Sequence, residues 1–230
     1  MKASAIIVAA GSGVRLGSDV PKAFVKICGR TMLSYSLDAI RQVSSIGEAV
    51  IAVPEGFESA ARAEATALGL AIPIKITPGG IERQDSVRIA LALTSSESEL
   101  VIVHDAARPL ATPAMFEACL TAAARCGGAI AAIPVADTLK RVADPDCAIA
   151  ATVARAGLWQ AQTPQAFKRD VLVAAHQRAV SEGIVATDDA DLVERSGAQV
   201  EVVEASTANI KITTQSDLAI VEAIIAAQSS

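Results

Sequence analysis

The chain has 230 residues, of which 52% are hydrophobic and 3% aromatic, and its formal net charge at pH 7 is −5. This apolar content excludes an intrinsically disordered protein, while the acidic balance and the six aromatic residues argue against a protein that binds nucleic acid. The alanine-rich stretch 118–136 is interrupted by Arg125 and Pro134, so we expect no membrane span.

Short apolar runs alternate with amphipathic segments along the chain. The runs are apolar on both faces, which is typical of parallel strands covered by helices on both sides. In chain order, the pattern predicts a strand at 4–9, a helix at 31–43, a strand at 49–53, a helix at 59–68, a strand at 72–77, a helix at 82–93, a strand at 100–104, a helix at 112–127, strands at 129–134 and 199–203, and a helix at 214–227.

This alternation predicts one α/β domain over residues 1–230, with a Rossmann-like, mostly parallel sheet and helices on both faces. In such sheets, ligands bind at the carboxyl ends of the strands, in the loops that lead into helices. Candidate functional residues are therefore sought first in the loops that follow the predicted strands.

Residues 136–165 break the alternation, because they show no clear helical period and contain the only tryptophan. We interpret the stretch as a β-arm, at about 136–156, that projects from the sheet and packs against a second subunit. A floppy surface loop is the alternative, but alternation over residues 148–154 favours an ordered strand.

The cysteines and histidines carry little functional signal. Four cysteines without a CxxC pair favour reduced thiols in a cytoplasmic enzyme, and two histidines without ligand spacing argue against a zinc site. His104 ends a predicted strand and is interpreted as structural, while His176 is predicted to be solvated. In the acidic cluster 187–191, Thr187 or Asp188 is expected to cap a short helix rather than to bind metal.

The first predicted strand leads into a glycine loop at residues 9–17, followed by Lys22. Small residues there allow the backbone to approach a phosphate, and the cations Arg15 and Lys22 suit charge that develops on phosphorus. The loop lacks the third glycine of a dinucleotide fingerprint and the Gly-Lys-Ser/Thr of a P-loop, which argues against a dehydrogenase. A simple glycine turn with two solvated cations remains the alternative.

Other candidates follow the third and fourth predicted strands. Asp105 ends the fourth strand, where it can help to place Mg²⁺ or accept a hydroxyl, unless it only caps the loop. Arg108, in the same loop, offers a planar fork for a phosphate or polyol, or is an exposed surface residue. Gly80 and Ser86 lie at the start of a helix, where they can contact a base and ribose or merely shape the helix entry.

Several stretches together resemble a known family. Residues 9–17 and Pro21-Lys22 resemble the nucleotidyltransferases that join an NTP to a sugar phosphate. Residues 79–87, 103–109, 137–140, 162–165, 187–188 and 209–213 narrow the resemblance. Of these, His-Asp-Ala-Ala-Arg-Pro and Asn-Ile-Lys are the most specific. The set is similar to the 2-C-methyl-D-erythritol 4-phosphate cytidylyltransferases of non-mevalonate isoprenoid biosynthesis, over essentially the whole chain.

The resemblance implies CTP and methylerythritol phosphate as substrates, Mg²⁺ as cofactor, and a homodimer. It implies that Arg15 and Lys22 stabilise the transition state, while Arg155 and Lys211 position the attacking phosphate. Thr138 and Arg155 would reach the substrate across the dimer interface. The nucleotide would contact the loops that contain Ala9, Ala10, Gly11, Gly13, Gly80, Ser86, Asp105 and Ala106.

Two alternative functions remain open. A ribitol-5-phosphate cytidylyltransferase has a similar loop and Asn-Ile-Lys segment, although Ala9-Ala10-Gly11 and Ala107 favour the erythritol enzyme. A non-catalytic nucleotide-binding protein would bind CTP without turnover. The chain also departs from many relatives at four positions, which leaves some base, ribose or substrate contacts in doubt: Ala23, Ile81, Ala205 and Ala208.

Overall fold

The structure is a computed structural model that describes residues 2–13, 16–18, 20–143 and 145–228. Its strands are β1 (Ala3–Val8), β2 (Lys26–Ile27), β3 (Arg30–Thr31), β4 (Ile46–Val53), β5 (Ile74–Pro78), β6 (Leu100–Asp105), β7 (Gly128–Pro134), β8 (Leu139–Ala143), β9 (Ala148–Val153), β10 (Trp159–Lys168) and β11 (Val200–Glu204). Its helices are α1 (Met32–Arg41), α2 (Glu58–Ala67), α3 (Arg83–Ala92), α4 (Pro113–Cys126), α5 (Arg169–Glu182), α6 (Asp189–Arg195) and α7 (Gln215–Gln228), and a 3₁₀ turn covers Lys22–Phe24.

Seven strands form the central sheet in the order β11-β7-β10-β6-β1-β4-β5. Parallel pairs join β1 to β4 and β6, β4 to β5, and β7 to β11. Only β10 runs antiparallel to its neighbours, β6 and β7, among the described strands of this sheet. The prediction of a mostly parallel α/β sheet is confirmed, and all six predicted strands lie in it.

Helices cover both faces of the sheet. Successive residues of a strand point to opposite faces, so each central strand contributes to two apolar layers. Ile7 of β1 belongs to the same cluster as Leu37 of α1. The preceding Ile6 faces the other way, in a cluster with Val87 of α3 and Leu172 of α5. Continuous apolar runs are therefore required in β1, β4 and β6, because both of their faces are buried.

Two predicted helix starts are capped by carboxylates. Asp188 accepts a hydrogen bond from the backbone N–H of Asp191 at 2.9 Å, which confirms that it caps α6. Asp217 accepts from the backbone N–H of Thr214 at 2.8 Å at the start of α7. Among the described residues, no helix is long and apolar enough to cross a membrane.

The strand β10 is not among the predicted strands. The arm is predicted at about 136–156, and β10 begins just beyond it, at Trp159, and lies inside the central sheet. The strand shows no apolar run in the sequence because it contains three polar residues, Gln162, Thr163 and Gln165, although all three are buried. Their burial is tolerated because Gln162 and Thr163 bind partners elsewhere in the fold, which no local pattern reports.

The arm itself is an ordered hairpin. The strands β8 and β9 pair antiparallel as a separate two-stranded sheet, from Leu139 opposite Val153 to Ala143 opposite Ala148. This confirms the ordered strand at residues 148–153 and contradicts the floppy-loop alternative. Both strands are mostly exposed in the single chain.

Candidate active site

A cavity of about 340 Å³ opens at the carboxyl ends of β1 and β6. The sequence predicts a ligand site at this edge of the sheet, and the structure has a cavity there. Five loops and segments line it: residues 8–13, 22–23, 80–83 with 86, 105–107, and 211 with 213. Ten of the predicted site residues are in this lining: Ala9, Ala10, Gly11, Gly13, Lys22, Gly80, Ser86, Asp105, Ala106 and Lys211.

The loop after β1 brings Lys22 into the cavity. The backbone N–H of Lys22 donates to the carbonyl of Gly11 at 3.3 Å, which folds the 3₁₀ turn against the loop. Gly13 has φ +74°, and a Cβ there would lie 3.1 Å from the backbone nitrogen of Lys22. Glycine is therefore required at this position. Arg15, the other predicted cation of the loop, lies outside the described residues.

The loop after β5 packs directly against the first loop. A Cβ added to Gly79 would clash with the Cβ of Ala10, so the two loops approach closely only because this residue is glycine. The backbone N–H of Gly80 donates to the Ser86 hydroxyl at 3.0 Å. Ser86 thus holds the loop to α3 in addition to lining the cavity.

Asp105 lies at the cavity floor between two cations. Its register opposite Val8 places it at the end of β6. Arg83 Nε donates to Asp105 Oδ1 at 2.9 Å, and Lys211 Nζ donates to Asp105 Oδ2 at 2.6 Å. Burial alone would raise the pKa of Asp105, but Arg83 and Lys211 outweigh it and hold the pKa well below its usual range. The carboxylate is therefore ionised at neutral pH.

The segment that carries Lys211 is fixed by polar contacts to β10 and to the loop after β6. Asn209 Nδ2 donates to Gln162 Oε1 at 2.7 Å, and Arg108 Nη1 donates to the Asn209 carbonyl at 2.7 Å. The backbone N–H of Ile212 donates to the carbonyl of Ala107 at 2.9 Å. These contacts bring Lys211 to Asp105 across 106 residues of chain.

His104 is buried and structural, as predicted. Thr163 Oγ1 accepts from the backbone N–H of Asp105 at 3.0 Å and lies 3.1 Å from His104 Nδ1, while His104 Nε2 lies 3.2 Å from the carbonyl of Arg108. A carbonyl only accepts, so the ring proton is on Nε2 and the Thr163 hydroxyl donates to Nδ1. Burial lowers the pKa of His104 to about 4, which keeps the ring neutral.

Three predicted substrate-binding residues are not in the cavity lining. Arg108 is half-buried behind it, with its guanidinium on the Asn209 carbonyl, and is not an exposed surface residue. Thr138 and Arg155 are exposed beside the arm, where Arg155 Nη1 donates to the carbonyl of Ala136. The structure of one chain therefore does not bring Thr138 and Arg155 to the other site residues.

The prediction that His176 is solvated is wrong. His176 is buried on α5, and its Nε2 lies 3.1 Å from Asp189 Oδ1 on α6. Asp189 Oδ2 accepts from Arg83 Nη1 at 2.7 Å, so a chain of hydrogen-bonded side chains leads from His176 to the cavity. Arg83 was missed as a site residue although it lies in the 79–87 motif, and Asp189 has no local signal because its partners are distant in sequence.

Among the described residues, the carboxylates that line the cavity are Asp105 and Glu82. No group of three or more His, Cys, Asp or Glu residues able to hold a metal ion occurs in the described part of the chain. Mg²⁺ is usually held by one or two carboxylates together with substrate phosphates, so Asp105 fits as a single protein ligand. Each of its oxygens accepts one hydrogen bond and keeps a further lone pair.

Comparisons with known proteins agree with this geometry. The family model for 2-C-methyl-D-erythritol 4-phosphate cytidylyltransferase matches residues 3–227. A protein of that description from Pelotomaculum thermopropionicum is 40% identical over 228 residues, which cover 99% of this chain and 95% of the relative.

Solved structures of the same description share the fold. The 4-diphosphocytidyl-2C-methyl-D-erythritol synthase of Anaerococcus prevotii superposes with a TM-score of 0.85 at 30% identity, covering 98% of each chain. The 2-C-methyl-D-erythritol 4-phosphate cytidylyltransferase of Thermus thermophilus has a TM-score of 0.80 at 36% identity, covering 97% of this chain and 98% of its own. The chain belongs to the 2-C-methyl-D-erythritol 4-phosphate cytidylyltransferase family.

Proposed function

We propose that this chain transfers CMP from CTP to 2-C-methyl-D-erythritol 4-phosphate, releasing pyrophosphate and 4-diphosphocytidyl-2-C-methyl-D-erythritol. The observation that carries the proposal is the cavity at the ends of β1 and β6. There, a loop of small residues meets Lys22 and Lys211, in a chain of this family. A pocket of this size accommodates a nucleotide, and two ammonium groups suit a reaction between phosphates.

The nucleotide is bound by backbone rather than by aromatic stacking. Ala9, Ala10, Gly11 and Gly13 let the loop after β1 approach the triphosphate closely, and Ala106 lines the same cavity. Gly80, held by Ser86, presents its loop to the base and ribose. None of the described residues that line the cavity is aromatic.

The reaction is an in-line displacement. A phosphate oxygen of the acceptor attacks the α-phosphorus of CTP, a new P–O bond forms, and the bond to pyrophosphate breaks with its electron pair leaving on pyrophosphate. The nucleophile is already an anion, so no general base or covalent enzyme intermediate is required. Lys22, with Arg15, stabilises the charge that develops at the α-phosphorus.

The acceptor phosphate is positioned by Lys211 and by Arg155. Lys211 lines the cavity and its side chain is 41% exposed, so it can reach a ligand. Thr138 and Arg155 are supplied by the arm of the other subunit of a homodimer, because in one chain they lie outside the cavity lining. Arg108 donates a hydrogen bond to the Asn209 carbonyl and so helps to hold the segment that carries Lys211.

Mg²⁺ is the proposed cofactor, and Asp105 is the residue that would hold it. When bound, the ion would neutralise part of the triphosphate charge. We also propose that the chain is a single nucleotidyltransferase domain. A cytoplasmic location fits this function, because Cys28 and Cys147 are exposed free thiols that persist in a reducing compartment.

The deciding experiment measures pyrophosphate release from CTP with methylerythritol phosphate and, separately, with ribitol 5-phosphate. We expect rapid Mg²⁺-dependent release with the former, a diphosphocytidyl product by ³¹P NMR, and little turnover with the latter. Faster turnover of ribitol 5-phosphate would assign the chain to the rival activity. CTP binding without turnover of either acceptor would indicate a non-catalytic nucleotide-binding protein.

A further inference from the structure

A chain of hydrogen-bonded side chains connects the cavity to the helices α5 and α6. Its members, in order, are Lys211, Asp105, Arg83, Asp189 and His176. Lys211 Nζ donates to Asp105 Oδ2 at 2.6 Å, and Arg83 Nε donates to Asp105 Oδ1 at 2.9 Å. On its other side, Arg83 Nη1 donates to Asp189 Oδ2 at 2.7 Å, and Asp189 Oδ1 lies 3.1 Å from His176 Nε2. The mechanism above uses Lys211 and Asp105 but leaves the other three residues without a role.

The two cationic side chains that contact Asp105 differ in how firmly they are held in place. The Lys211 side chain is 41% exposed and holds Asp105 through one point charge. The Arg83 side chain is 23% exposed and bridges two carboxylates, one of which, Asp189, is only 1% exposed. Arg83 is therefore anchored from behind, whereas Lys211 can exchange its partner.

The proposed reaction favours such an exchange. An acceptor phosphate that contacts Lys211 competes for its ammonium charge with Asp105, whose side chain is 8% exposed. A buried carboxylate that loses every cation is strongly unfavourable, and it would also repel the arriving phosphate. Arg83 remains on Asp105 when Lys211 leaves, so it offsets both effects.

We infer that Arg83 is a positioning residue: held by Asp189, it keeps Asp105 in place and compensated while Lys211 transfers from Asp105 to the phosphate of the acceptor substrate. This inference rests on the proposed function. Without Arg83, Asp105 would have Lys211 as its only protein cation, and the acceptor phosphate would have to compete harder for that ammonium group. The guanidinium is suited to the task because one planar fork reaches both carboxylates at once.

Two variants test the inference. Arg83→Lys retains the charge but cannot bridge Asp105 and Asp189, and Asp189→Asn removes the anchor without touching the cavity. For both we expect the KM for methylerythritol phosphate to rise about tenfold, with kcat lowered and the KM for CTP changed less than about twofold. Steady-state kinetics are to be normalised to the folded fraction from thermal denaturation, because a purely structural role would lower that fraction and leave both KM values unchanged.

Arg88→Met is the matched control. Arg88 lies on the same helix, and its contact with Asp85 is an exposed ion pair at 3.3 Å, so its loss should leave all kinetic constants unchanged. A second test is a double-variant cycle. In a Lys211→Ala background, Arg83→Lys should lower kcat/KM by much less than it does alone, because no lysine remains to exchange.

The outcomes separate the two proposals. If wild-type protein released no pyrophosphate with methylerythritol phosphate, the proposed function would fail, and the inference with it. If wild-type protein were active and folded Arg83→Lys enzyme kept an unchanged KM for the acceptor, the inference alone would be overturned. If Asp189→Asn does not fold, Arg83→Lys decides, since it keeps a cation between the two carboxylates.

Discussion

Small side chains and two lysines define the cavity at the scale of single residues. Alanine and glycine line the nucleotide end, whereas Lys22 and Lys211 enter from different parts of the chain. Lys22 is held by the Gly11 carbonyl through its own backbone, so its side chain can be changed without removing that contact. Its contribution is thus open to direct measurement.

We predict that Lys22→Ala lowers kcat about 10²-fold or more, because a cation that stabilises the transition state is lost. The measurement is pyrophosphate release at saturating CTP and methylerythritol phosphate. Lys26→Ala, at an exposed position in the neighbouring strand β2, is the control and should retain full activity. Wild-type turnover of Lys22→Ala would remove Lys22 from the mechanism.

His104 makes stability depend on pH. The unfolded chain takes up a proton near the ordinary histidine pKa of 6.5, whereas burial lowers the pKa in the folded protein to about 4. Between these two values the unfolded state binds more protons, so the free energy of unfolding falls as the pH falls through this window.

We therefore expect the His104 contribution to cost about 2 kcal/mol of stability between pH 7.5 and pH 5. Urea denaturation at both pH values measures this change. In His104→Gln the side chain does not titrate, and the loss between the two pH values should shrink by that amount. An equal loss in wild type and variant would show that other groups control the pH dependence.

At the scale of elements, the site depends on how closely two loops approach. The loop after β1 and the loop after β5 meet where Gly79 lies against Ala10, and Ser86 anchors the second loop to α3. A side chain at position 79 would therefore separate the two loops that line the nucleotide end of the cavity.

We predict that Gly79→Ala raises the KM for CTP about tenfold and costs about 1–3 kcal/mol of stability, because the added methyl group overpacks the contact. Titration of CTP binding and denaturant unfolding measure the two effects. Gly47→Ala is the control, since the nearest atoms that a Cβ there would meet belong to the flexible Lys2 side chain, at 3.2 Å. Unchanged CTP binding in Gly79→Ala would show that the loops tolerate separation.

For the whole molecule, the feature that matters is the arm, whose strands β8 and β9 pair with each other and are mostly exposed in the single chain. An isolated two-stranded hairpin is marginal in water, and the outer side chains Val142 and Ile149 are 54% and 65% exposed. A second copy of the chain would cover them and would also bring Arg155 to a cavity. The proposed dimer thus explains both the exposed arm and the residues absent from the cavity lining.

We predict that Arg155→Ala raises the KM for methylerythritol phosphate and spares CTP binding. When Lys22→Ala and Arg155→Ala subunits are co-expressed, each mixed dimer has one site with both native residues, so about a quarter of wild-type activity should return. Each variant expressed alone is the control. If activity in the mixture stayed at the mean of the two variants, both residues would act from the same chain.

The fold was largely predictable because its central strands are locally apolar and its helices carry legible caps such as Asp188. The strand β10 was not predictable, because the buried polar residues Gln162 and Gln165 interrupt its apolar pattern. Ten of the described residues that line the cavity were predicted from loops at strand ends and from motif resemblance. The sequence did not predict the roles of Arg83 and Asp189 or the burial of His176. All three depend on contacts between elements that are distant in sequence.

The sequence by itself determined the α/β class, the edge of the sheet that carries the cavity, and the family, since these follow from periodicity, strand ends and short motifs. Only the tertiary structure decided that β10 lies inside the sheet and that Arg83 and Lys211 share Asp105. The physical reason is that polar residues are buried where partners far away in sequence satisfy them, and those partners meet only when the chain is folded.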